Sequence, residues 1–294
     1  MLIILFKIKF LNNKKIYFNY ILTASTFFYL RGLLAMKIKF QKYQGTGNDF
    51  IIIDNRSLSF PITNKILINR LCNRKLGIGS DGLIVINPSK NTDFDMLYFN
   101  SDGNIGSMCG NGARCSVKFA HDINLIKDKT IFNAFDGNHS ASIKDKNVFL
   151  SMKNVINIKN FGKDLFLDTG SPHYIRIVDK LEGFDVFKEG KKIRNYPEFK
   201  EKGINVNFVK VISETEFYVR TYERGVEDET LSCGTGVTAV ALAMYYLGVT
   251  KSKYIKINTK GGILNIEFNP MDSGFEKIIL SGNVELVYEG EFTI

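Results

Sequence analysis

The alternation of apolar and polar residues along the chain predicts a fold rich in short strands. Six runs alternate between the two kinds or are dense in β-branched residues, as is typical of half-buried strands. These runs are residues 50–53, 83–86, 147–152, 217–221, 254–258 and 264–268. Helices are predicted at 64–73, 113–120 and 237–247. This mixture indicates an α+β fold.

The pattern repeats once within the chain. Segment 47–54, GNDFIIID, is echoed by segment 170–179, GSPHYIRIVD, and Cys109-Gly-Asn-Gly is echoed by Cys233-Gly-Thr-Gly. The two markers recur after 123 and 124 residues, and an alanine-containing apolar stretch follows each Cys-Gly-x-Gly. Equal spacing of two markers indicates a duplicated domain. Each half is expected to be rich in strands and to carry one buried helix.

Residues 1–35 differ in composition from the rest of the chain. They contain no acidic residue, and they have two short apolar runs instead of the about 20 residues that a membrane span needs. A strand pattern starts directly after Met36, so we interpret 1–35 as an extension outside the fold and Met36 as the start of the domain. A signal peptide is the alternative, but basic residues interrupt the first apolar run and no clean cleavage site precedes Met36.

The net charge of +9 does not indicate a nucleic-acid partner. Residues 1–35 contribute five basic residues and no acid, which leaves a formal charge of +4 for the remainder. That balance is too weak to argue for a polyanionic ligand.

The four cysteines, Cys72, Cys109, Cys115 and Cys233, form neither a metal-binding nor a disulfide pattern. They include no Cys-x-x-Cys pair, and no histidine lies at ligand spacing, so we expect no metal. Four cysteines in a chain of this length favour a reducing, cytoplasmic location. Cys72 and Cys115 fall within predicted helices and are expected to be buried apolar residues.

The two Cys-Gly-x-Gly turns are the clearest candidates for chemistry. A thiolate at a helix N-terminus is stabilised by unpaired N–H groups and by the helix dipole, which lower its pKa from about 8.5. The glycines let the backbone approach a ligand closely, so the N–H groups of 110–112 and of 234–236 would form an anion-binding concavity. One such motif alone could bind phosphate or be only a turn.

Two such motifs in facing halves indicate an inversion reaction. If the halves close on a cleft, Cys109 and Cys233 converge on opposite faces of one carbon. A substrate carboxylate would be held by N–H groups from both halves, most strongly as the adjacent carbon loses its proton. One sulfur would remove that proton while the other, protonated, supplies one from the opposite face. This chemistry needs no cofactor.

Six longer motifs resemble the diaminopimelate epimerase family from Lys37 to nearly the C-terminus. They are GTGNDF (45–50), GIGSDGL (77–83), FNSDGNIGSMCGNGARC (99–115), TGSPHYI (169–175), GINVNFV (203–209) and YERGVEDETLSCGTGVTA (222–239). Six motifs in one order are far more specific than a single Cys-Gly-x-Gly.

The resemblance implies two pseudo-symmetric halves, each a mostly antiparallel sheet wrapped around a central helix. The repeat sets the boundary near 154, so the halves would span 36–154 and 155–278, with a last strand at about 279–294 returning to the N-terminal half. The implied reaction interconverts LL- and meso-2,6-diaminopimelate, a step toward lysine and peptidoglycan, without pyridoxal phosphate or metal. The implied assembly is a homodimer in which Tyr288 matches a contact tyrosine.

The family's functional residues can be carried onto this chain. Its two catalytic cysteines fall on Cys109 and Cys233, the pair that the repeat also indicates, and His173 matches a supporting histidine beside them. Arg224 would grip the distal carboxylate with a bidentate fork, and Glu223 would offset an ammonium group. The implied substrate contacts are Asn48, Asn100, Gly110, Asn111, Asn205, Glu223, Arg224, Gly234 and Thr235.

Three features depart from the family's pattern and bear on these substrate contacts. Ser171, a second supporting residue, stands where the family usually has Asn, and we expect its shorter side chain to reach the substrate only through water. The loop 225–230 has one residue more than the common pattern, so a different loop shape is expected. Gly82 stands where some members have a contacting side chain, and it can offer only its backbone.

Three alternatives remain open. The proline racemase, hydroxyproline epimerase and phenazine-related isomerase groups share the fold, but Glu223, Arg224 and Asn205 favour a substrate with a second charged end. A thiol–disulfide redox protein would join Cys109 and Cys233 reversibly, although the two anion-binding turns argue against it. A nucleic-acid-binding module rests only on charge. We therefore expect a small-molecule substrate, and neither nucleic acid nor membrane as a partner.

Overall fold

The computed structural model describes residues 37–293, so the predicted extension at 1–35 and the proposed start at Met36 lie outside the described residues. Lys39–Gly290 pack as one compact unit. The described ends of the other unit, 37–38 and 291–293, carry an ion pair between Lys37 Nζ and Glu291 Oε1 at 2.8 Å. No helix between residues 37 and 293 is both long and apolar enough to cross a membrane.

Seventeen strands and four helices occur within the described residues. The strands are β1 (Lys37–Gly45), β2 (Asn48–Asp54), β3 (Gly82–Asn87), β4 (Phe94–Asn100), β5 (Lys129–Ala134), β6 (Gly137–Lys144), β7 (Asn147–Ser151), β8 (Ile158–Phe161), β9 (Asp164–Asp168), β10 (Pro172–Ile177), β11 (Asn205–Val211), β12 (Glu216–Glu223), β13 (Asp228–Thr230), β14 (Tyr254–Thr259), β15 (Gly262–Met271), β16 (Gly274–Asn283) and β17 (Glu285–Thr293). The helices are α1 (Lys65–Cys72), α2 (Gly110–Asp122), α3 (Val186–Arg194) and α4 (Gly234–Tyr246). Every element predicted from the pattern overlaps one of these.

The strands form one continuous sheet in which two runs follow the same order. The N-terminal run is β1-β2-β3-β4-β5-β6-β7, and the C-terminal run is β9-β10-β11-β12-β14-β15-β16. From first to last, the pairings in each run are antiparallel, parallel, antiparallel, parallel, antiparallel and antiparallel. The predicted fold of two pseudo-symmetric α+β halves is thereby confirmed.

Strand β16 joins the two runs, because it pairs with both β15 and β7. Leu280 of β16 lies opposite Leu150 of β7. Each leucine also pairs with the preceding strand of its own run, Leu150 with Ala141 and Leu280 with Ile266, so the two leucines are counterparts in the repeat. A pseudo-two-fold axis therefore passes through this pair. The last strand, β17, pairs with β1.

Helices α2 and α4 are the centres around which the sheet curves. Ten of the thirteen residues of each helix are buried. Helix α4 is apolar on all sides, as is typical of a helix in a domain interior. It packs against β10, β11 and β15, while α2 packs against β2, β6 and β7. Leu242 of α4 is wholly buried, and burial of such a side chain contributes about 1.5–3 kcal/mol to stability.

Candidate active site

Cys109 and Cys233 stand at the same place in the two halves, where each is the N-cap residue of a central helix. Their backbones are extended, with φ of −111° at Cys109 and −125° at Cys233, and neither side chain caps its helix. The first N–H groups of α2 and α4 are therefore left for other acceptors. The N–H groups of Asn111 and Gly112 face the Cys109 sulfur, and that of Gly236 faces the Cys233 sulfur.

The N-termini of α2 and α4 touch each other. A Cβ atom placed on Gly234 would lie 3.6 Å from the Cα of Gly110 and 3.0 Å from Cδ2 of Leu280. Glycine leaves room for such a close approach of two helix ends. Both Cys-Gly-x-Gly turns therefore face one shared region, to which two helix dipoles present their positive ends.

Burial makes both thiols less acidic than a free cysteine. It raises the pKa of Cys109 to about 11 and raises the pKa of Cys233 further, and the Glu223 carboxylate also raises both. The N–H groups of the helix ends lower the two pKa values, as expected from the sequence, but burial outweighs them. The protonated form is therefore favoured at both sulfurs near neutral pH.

Asn48, at the start of β2, presents an acceptor to Cys109. Its Oδ1 lies 3.6 Å from the Cys109 sulfur and also accepts from Nδ2 of Asn111 at 3.3 Å. Its Nδ2 donates to Oδ2 of Asp81 at 2.7 Å, which fixes the direction of the amide. Arg74 in turn pairs with Asp81 at 2.8 Å. The Cys109 thiol therefore faces an oxygen to which it can donate.

A buried arginine lies behind Cys109. Arg114 has no exposed surface, and its Nη2 donates to Oδ1 of Asn111 at 2.7 Å and to Oγ1 of Thr46 at 3.4 Å. Its Nη1 donates to the carbonyl of Asn283 at 3.4 Å. These partners are neutral, so they do not compensate the charge of the guanidinium. That charge lowers the pKa of Cys109, while burial lowers the pKa of Arg114 itself.

A chain of four polar side chains lies behind Cys233. Oγ1 of Thr235 is 3.5 Å from the Cys233 sulfur and 2.9 Å from Nε2 of His173. Nδ1 of His173 is 3.0 Å from Nδ2 of Asn207. Oδ1 of Asn207 accepts from Oγ1 of Thr221 at 3.0 Å. This series of hydrogen bonds thus connects Cys233 with Thr221 on β12.

His173 is neutral in this environment. It is wholly buried, and burial, with a smaller contribution from the charge of Arg224, lowers its pKa to about 3. A ring that stays unprotonated at neutral pH acts as a hydrogen-bonding group. The Thr235 hydroxyl lies between this ring and the Cys233 sulfur.

Asn205, Ser171 and Arg224 form one polar cluster. Nδ2 of Asn205 donates to Oγ of Ser171 at 2.9 Å, and its Oδ1 accepts from the main-chain N–H of Arg224 at 2.8 Å. The Arg224 guanidinium donates to Oγ of Ser171 at 3.3 Å and to the carbonyl of Lys202 at 2.9 Å. The Ser171 hydroxyl thus touches two of the residues predicted to contact substrate.

Glu223, at the end of β12, is a partly buried carboxylate. Oγ1 of Thr230 donates to its Oε2 at 3.0 Å, while burial raises its pKa. The loop 225–230 turns back as a tight hairpin in which β13 pairs with β12 and Glu227 has a φ of +57°. The turn brings Thr230 to Glu223.

The ring of Tyr98 accounts for the glycine at position 82. A Cβ atom on Gly82 would lie 2.5 Å from Cε2 of Tyr98, so a larger residue there would displace the ring. Gly82 pairs with Asn100 across β3 and β4, and Asn100 is exposed. Gly82, at the start of β3, and the predicted contact Asn100, at the end of β4, therefore lie side by side.

Tyr288 lies apart from the cysteines, on the exposed strand β17. It is 43% exposed, its ring packs edge-on against Phe40 at 6.0 Å, and its hydroxyl donates to the carbonyl of Ile78 at 3.3 Å.

The polar residues of the site that were not predicted from the sequence include Asp81, Arg114, Asn207 and Thr221. Asp81 and Arg114 lie inside recognised motifs, but nothing in the pattern showed what they touch. Asn207 and Thr221 are buried polar residues within strands, and Asn207 stands between the apolar residues Val206 and Phe208. A polar residue at an inward position of a strand was the available signal, since such groups are nearly always hydrogen-bonded.

Comparison with known proteins identifies the family to which the chain is similar. The sequence pattern that defines the diaminopimelate epimerase family matches residues 40–156 and 165–287. The chain is 53% identical over 253 residues to diaminopimelate epimerase of Flavobacterium psychrophilum, which covers 86% of this chain and 99% of that protein. It is 37% identical over 276 residues to diaminopimelate epimerase of Aquifex aeolicus, which covers 87% of this chain and 98% of that protein.

Solved structures share the fold at low sequence identity. A Bacillus anthracis phenazine biosynthesis protein of the PhzF family matches with a TM-score of 0.72 at 13% identity, over 88% of this chain and 100% of that one. A probable proline racemase from Agrobacterium radiobacter matches with a TM-score of 0.61 at 12% identity, over 86% of this chain and 92% of that one. These two likenesses concern the fold alone.

Proposed function

This chain belongs to the diaminopimelate epimerase family, and we propose that it interconverts LL- and meso-2,6-diaminopimelate with Cys109 and Cys233 as the paired acid and base. The protein is an isomerase, and the reaction is a step in lysine biosynthesis. The observation that carries the residue assignment is the contact of the two helix N-termini, each with a cysteine as its N-cap.

The reaction is a proton transfer across one carbon. One sulfur, as the thiolate, removes the Cα hydrogen as a proton and becomes a thiol. The other sulfur, as a thiol, delivers its proton to the opposite face and becomes a thiolate, so atoms and charge balance. The N–H groups at the starts of α2 and α4 stabilise the negative charge that the substrate carboxylate gains as the proton leaves. No cofactor is required for any of these steps.

Recognition of the two ends of the substrate is assigned to the polar residues around the cysteines. Glu223 is a carboxylate whose charge is disfavoured by burial, so an ammonium group beside it would be bound favourably. Arg224 supplies a fork of donors for the distal carboxylate. Asn205 and Ser171, which hydrogen-bond with Arg224, hold it in place. Asn48, Asn100 and Asn111 supply neutral donors and acceptors.

Solvent deuterium exchange tests the proposal. LL- and meso-diaminopimelate are incubated separately with the enzyme in D2O, and the α-hydrogen content of each isomer is followed. Both isomers should incorporate deuterium at the epimerised carbon and converge on one mixture, in buffer without added cofactor. Folded protein that leaves the hydrogen content of both isomers unchanged would refute the assignment. Exchange into proline or hydroxyproline instead would favour the related racemases.

We further propose that the protein is a cytoplasmic homodimer. Free thiols at Cys109 and Cys233 require a reducing compartment. Three neighbouring apolar residues of β17, Leu286, Val287 and Tyr288, are 43–54% exposed, and exposed apolar patches mark interaction surfaces.

Light scattering after size exclusion measures the oligomeric state. The wild type should be a dimer and Tyr288→Asp mostly a monomer, because the charge would have to be buried at the interface. Tyr254→Asp, at an exposed tyrosine on β14, is the matched control and should stay dimeric. A monomeric wild type at assay concentration would contradict the dimer.

A further inference from the structure

The hydrogen-bond directions behind Cys233 follow from one main-chain carbonyl. Nδ2 of Asn207 donates to the carbonyl of Tyr174 at 3.2 Å. Since a carbonyl can only accept, this end of the amide carries the hydrogens, and the opposite end accepts from Thr221. The same Nδ2 lies 3.0 Å from Nδ1 of His173, so Nδ1 is the accepting nitrogen of the ring.

This arrangement selects one tautomer of His173. A neutral imidazole that accepts at Nδ1 carries its hydrogen on Nε2. Nε2 therefore donates to Oγ1 of Thr235 at 2.9 Å, and the Thr235 hydroxyl must turn its own hydrogen elsewhere. Among residues 37–293, the remaining partner of that hydroxyl is the Cys233 sulfur at 3.5 Å. The sulfur thus receives a hydrogen bond.

We propose that Asn207 is a positioning residue for the epimerisation: it holds His173 in the tautomer that turns the Thr235 hydroxyl toward the Cys233 sulfur. The inference rests on the proposed function, since it takes Cys233 to exchange a proton with substrate. A donor aimed at the sulfur favours the thiolate, the form that acts as base. His173 itself carries no proton in the reaction.

The surroundings of Cys233 explain why such a donor matters. Burial and the facing carboxylate of Glu223 raise the pKa of the Cys233 thiol, and a negative Cys109 would raise it too. The Thr235 hydroxyl and the Gly236 N–H oppose these effects by lowering the same pKa.

The second glycine of the C-terminal turn leaves room for Asn207. A Cβ atom on Gly236 would lie 2.5 Å from Oδ1 of Asn207. The amide therefore passes directly beneath the turn that carries Cys233, within reach of both His173 and Thr221.

The tautomer can be measured without any assay of activity. The chain has three histidines, so two-dimensional NMR of protein with ¹⁵N-labelled imidazole rings is simple to assign, with His173→Gln identifying the signal. We expect an unprotonated Nδ1 and a protonated Nε2 on His173 at pH 7, and a loss of this single form in Asn207→Leu. A wild-type ring protonated at Nδ1 would overturn the inference.

Kinetics then test the effect on Cys233. Asn207→Leu should lower kcat/KM by about 10- to 100-fold, the range for a hydrogen bond to a charged group. Most of this decrease should come from a lower kcat, and KM should change less. The acid limb of the pH profile should move to higher pH, because the missing donor raises the pKa of Cys233. Thr221→Val should act in the same direction more weakly, and it keeps the test available if Asn207→Leu does not fold.

Two variants serve as controls. Thr221→Ser keeps the hydroxyl and should restore the wild-type profile, while Thr250→Val removes a buried hydroxyl elsewhere in the same half and should leave the profile in place. A folded Asn207→Leu enzyme with the wild-type pH profile would overturn the positioning role. Failure of the wild type to exchange either isomer would instead refute the proposed function, which the NMR measurement does not depend on.

Discussion

The two halves share a fold, but they place different chemistry behind their cysteines. Behind Cys109 lies the buried cation of Arg114, whereas behind Cys233 lies an uncharged chain of hydrogen bonds. Strand register aligns the C-terminal residues His173, Asn207 and Thr221 with the N-terminal residues Phe50, Ile84 and Tyr98. Both halves therefore have the same backbone N–H groups and the same sulfur, but they differ in the residues packed behind the sulfur. These residues are here called the N-terminal layer (Arg114, Phe50, Ile84 and Tyr98) and the C-terminal layer (His173, Asn207 and Thr221).

This difference shows two ways of favouring a thiolate in a buried site. A cation acts through its charge and needs no defined hydrogen position. A hydroxyl acts through the direction of one hydrogen, so every partner behind it must also be oriented. We therefore expect the C-terminal layer to tolerate substitution less well than the N-terminal one.

The largest effect is expected when one cysteine is removed. Cys109→Ala and Cys233→Ala should each lower turnover by at least about 10²- to 10⁴-fold, the contribution of a positioned acid or base. Deuterium exchange then separates the halves, because each variant should still exchange only the isomer whose hydrogen faces its remaining sulfur. Cys72→Ala and Cys115→Ala, at buried cysteines, should stay near wild type. Two variants that both exchanged the same isomer would contradict the two-sided scheme.

A methyl group added beneath each turn compares the stiffness of the two layers. Gly236→Ala puts its Cβ 2.5 Å from Oδ1 of Asn207, and Gly112→Ala puts it 3.2 Å from Cδ1 of Ile84. The isoleucine methyl can rotate away, but the amide is held by its hydrogen bonds. Gly236→Ala should lower the free energy of unfolding by about 1–3 kcal/mol, and Gly112→Ala by less. If urea unfolding gave the same decrease in free energy of unfolding for both variants, the two layers would be equally able to accommodate a methyl group.

Acid should destabilise the protein through the C-terminal layer. The pKa of His173 is about 3 in the folded chain, against about 6.5 for a free histidine. Between these values the unfolded chain binds a proton that the folded chain does not, so stability falls as pH falls, by about 2 kcal/mol from pH 7 to pH 5.

The variant His173→Phe isolates the effect of the histidine. Phenylalanine is the residue at the equivalent position of the N-terminal half, Phe50. The difference in the variant's free energy of unfolding between pH 7 and pH 5 should be smaller by the contribution of His173. Its stability at pH 7 should also be lower, because polar groups of Asn207 and Thr235 lose their partner. Urea unfolding at the two pH values measures both changes. An unaltered difference between pH 7 and pH 5 would assign the acid sensitivity to other groups.

The smallest effect is expected from Arg114→Met. Loss of the cation raises the pKa of Cys109, so the acid limb of kcat/KM should move to higher pH, with a loss of about tenfold if the shift is about one pKa unit. Removing the buried charge should stabilise the fold, whereas the unpaired Oδ1 of Asn111 should destabilise it, so the net change in the free energy of unfolding should be small. Arg114→Lys keeps the charge, so the acid limb of its pH profile should lie between those of the wild type and Arg114→Met. A pH profile that both variants leave untouched would show that the cation does not act on Cys109.

Much of the fold could be predicted because its signals are local. The apolar run 83–86 became the wholly buried core of β3, and the apolar stretch after Cys233 became α4. Helix α3 was missed because it is short and rich in lysine, and a cap from Asp185 and packing against β11 and β12 hold it in place. The pairing of β7 with β16 joins strands far apart in sequence, and no local pattern reports such a contact.

The relative placement of the two Cys-Gly-x-Gly turns was easier to predict than the pKa values of their thiols. The repeat indicated that the turns at Gly110 and Gly234 meet, and they do. It could not indicate that burial would raise the pKa of both thiols, because burial depends on the whole fold. Arg114 and Asn207 were missed for a similar reason, since their partners come from other strands and from the opposite turn.

The facing leucines Leu150 and Leu280 mark where two copies of one ancestral unit would meet as an isologous dimer. The two subunits of such a dimer have the same sequence, so the residues behind one sulfur are the same as the residues behind the other. A single polypeptide that contains both copies is free of that constraint. It can place a cation behind one sulfur and a series of neutral hydrogen-bonding groups behind the other.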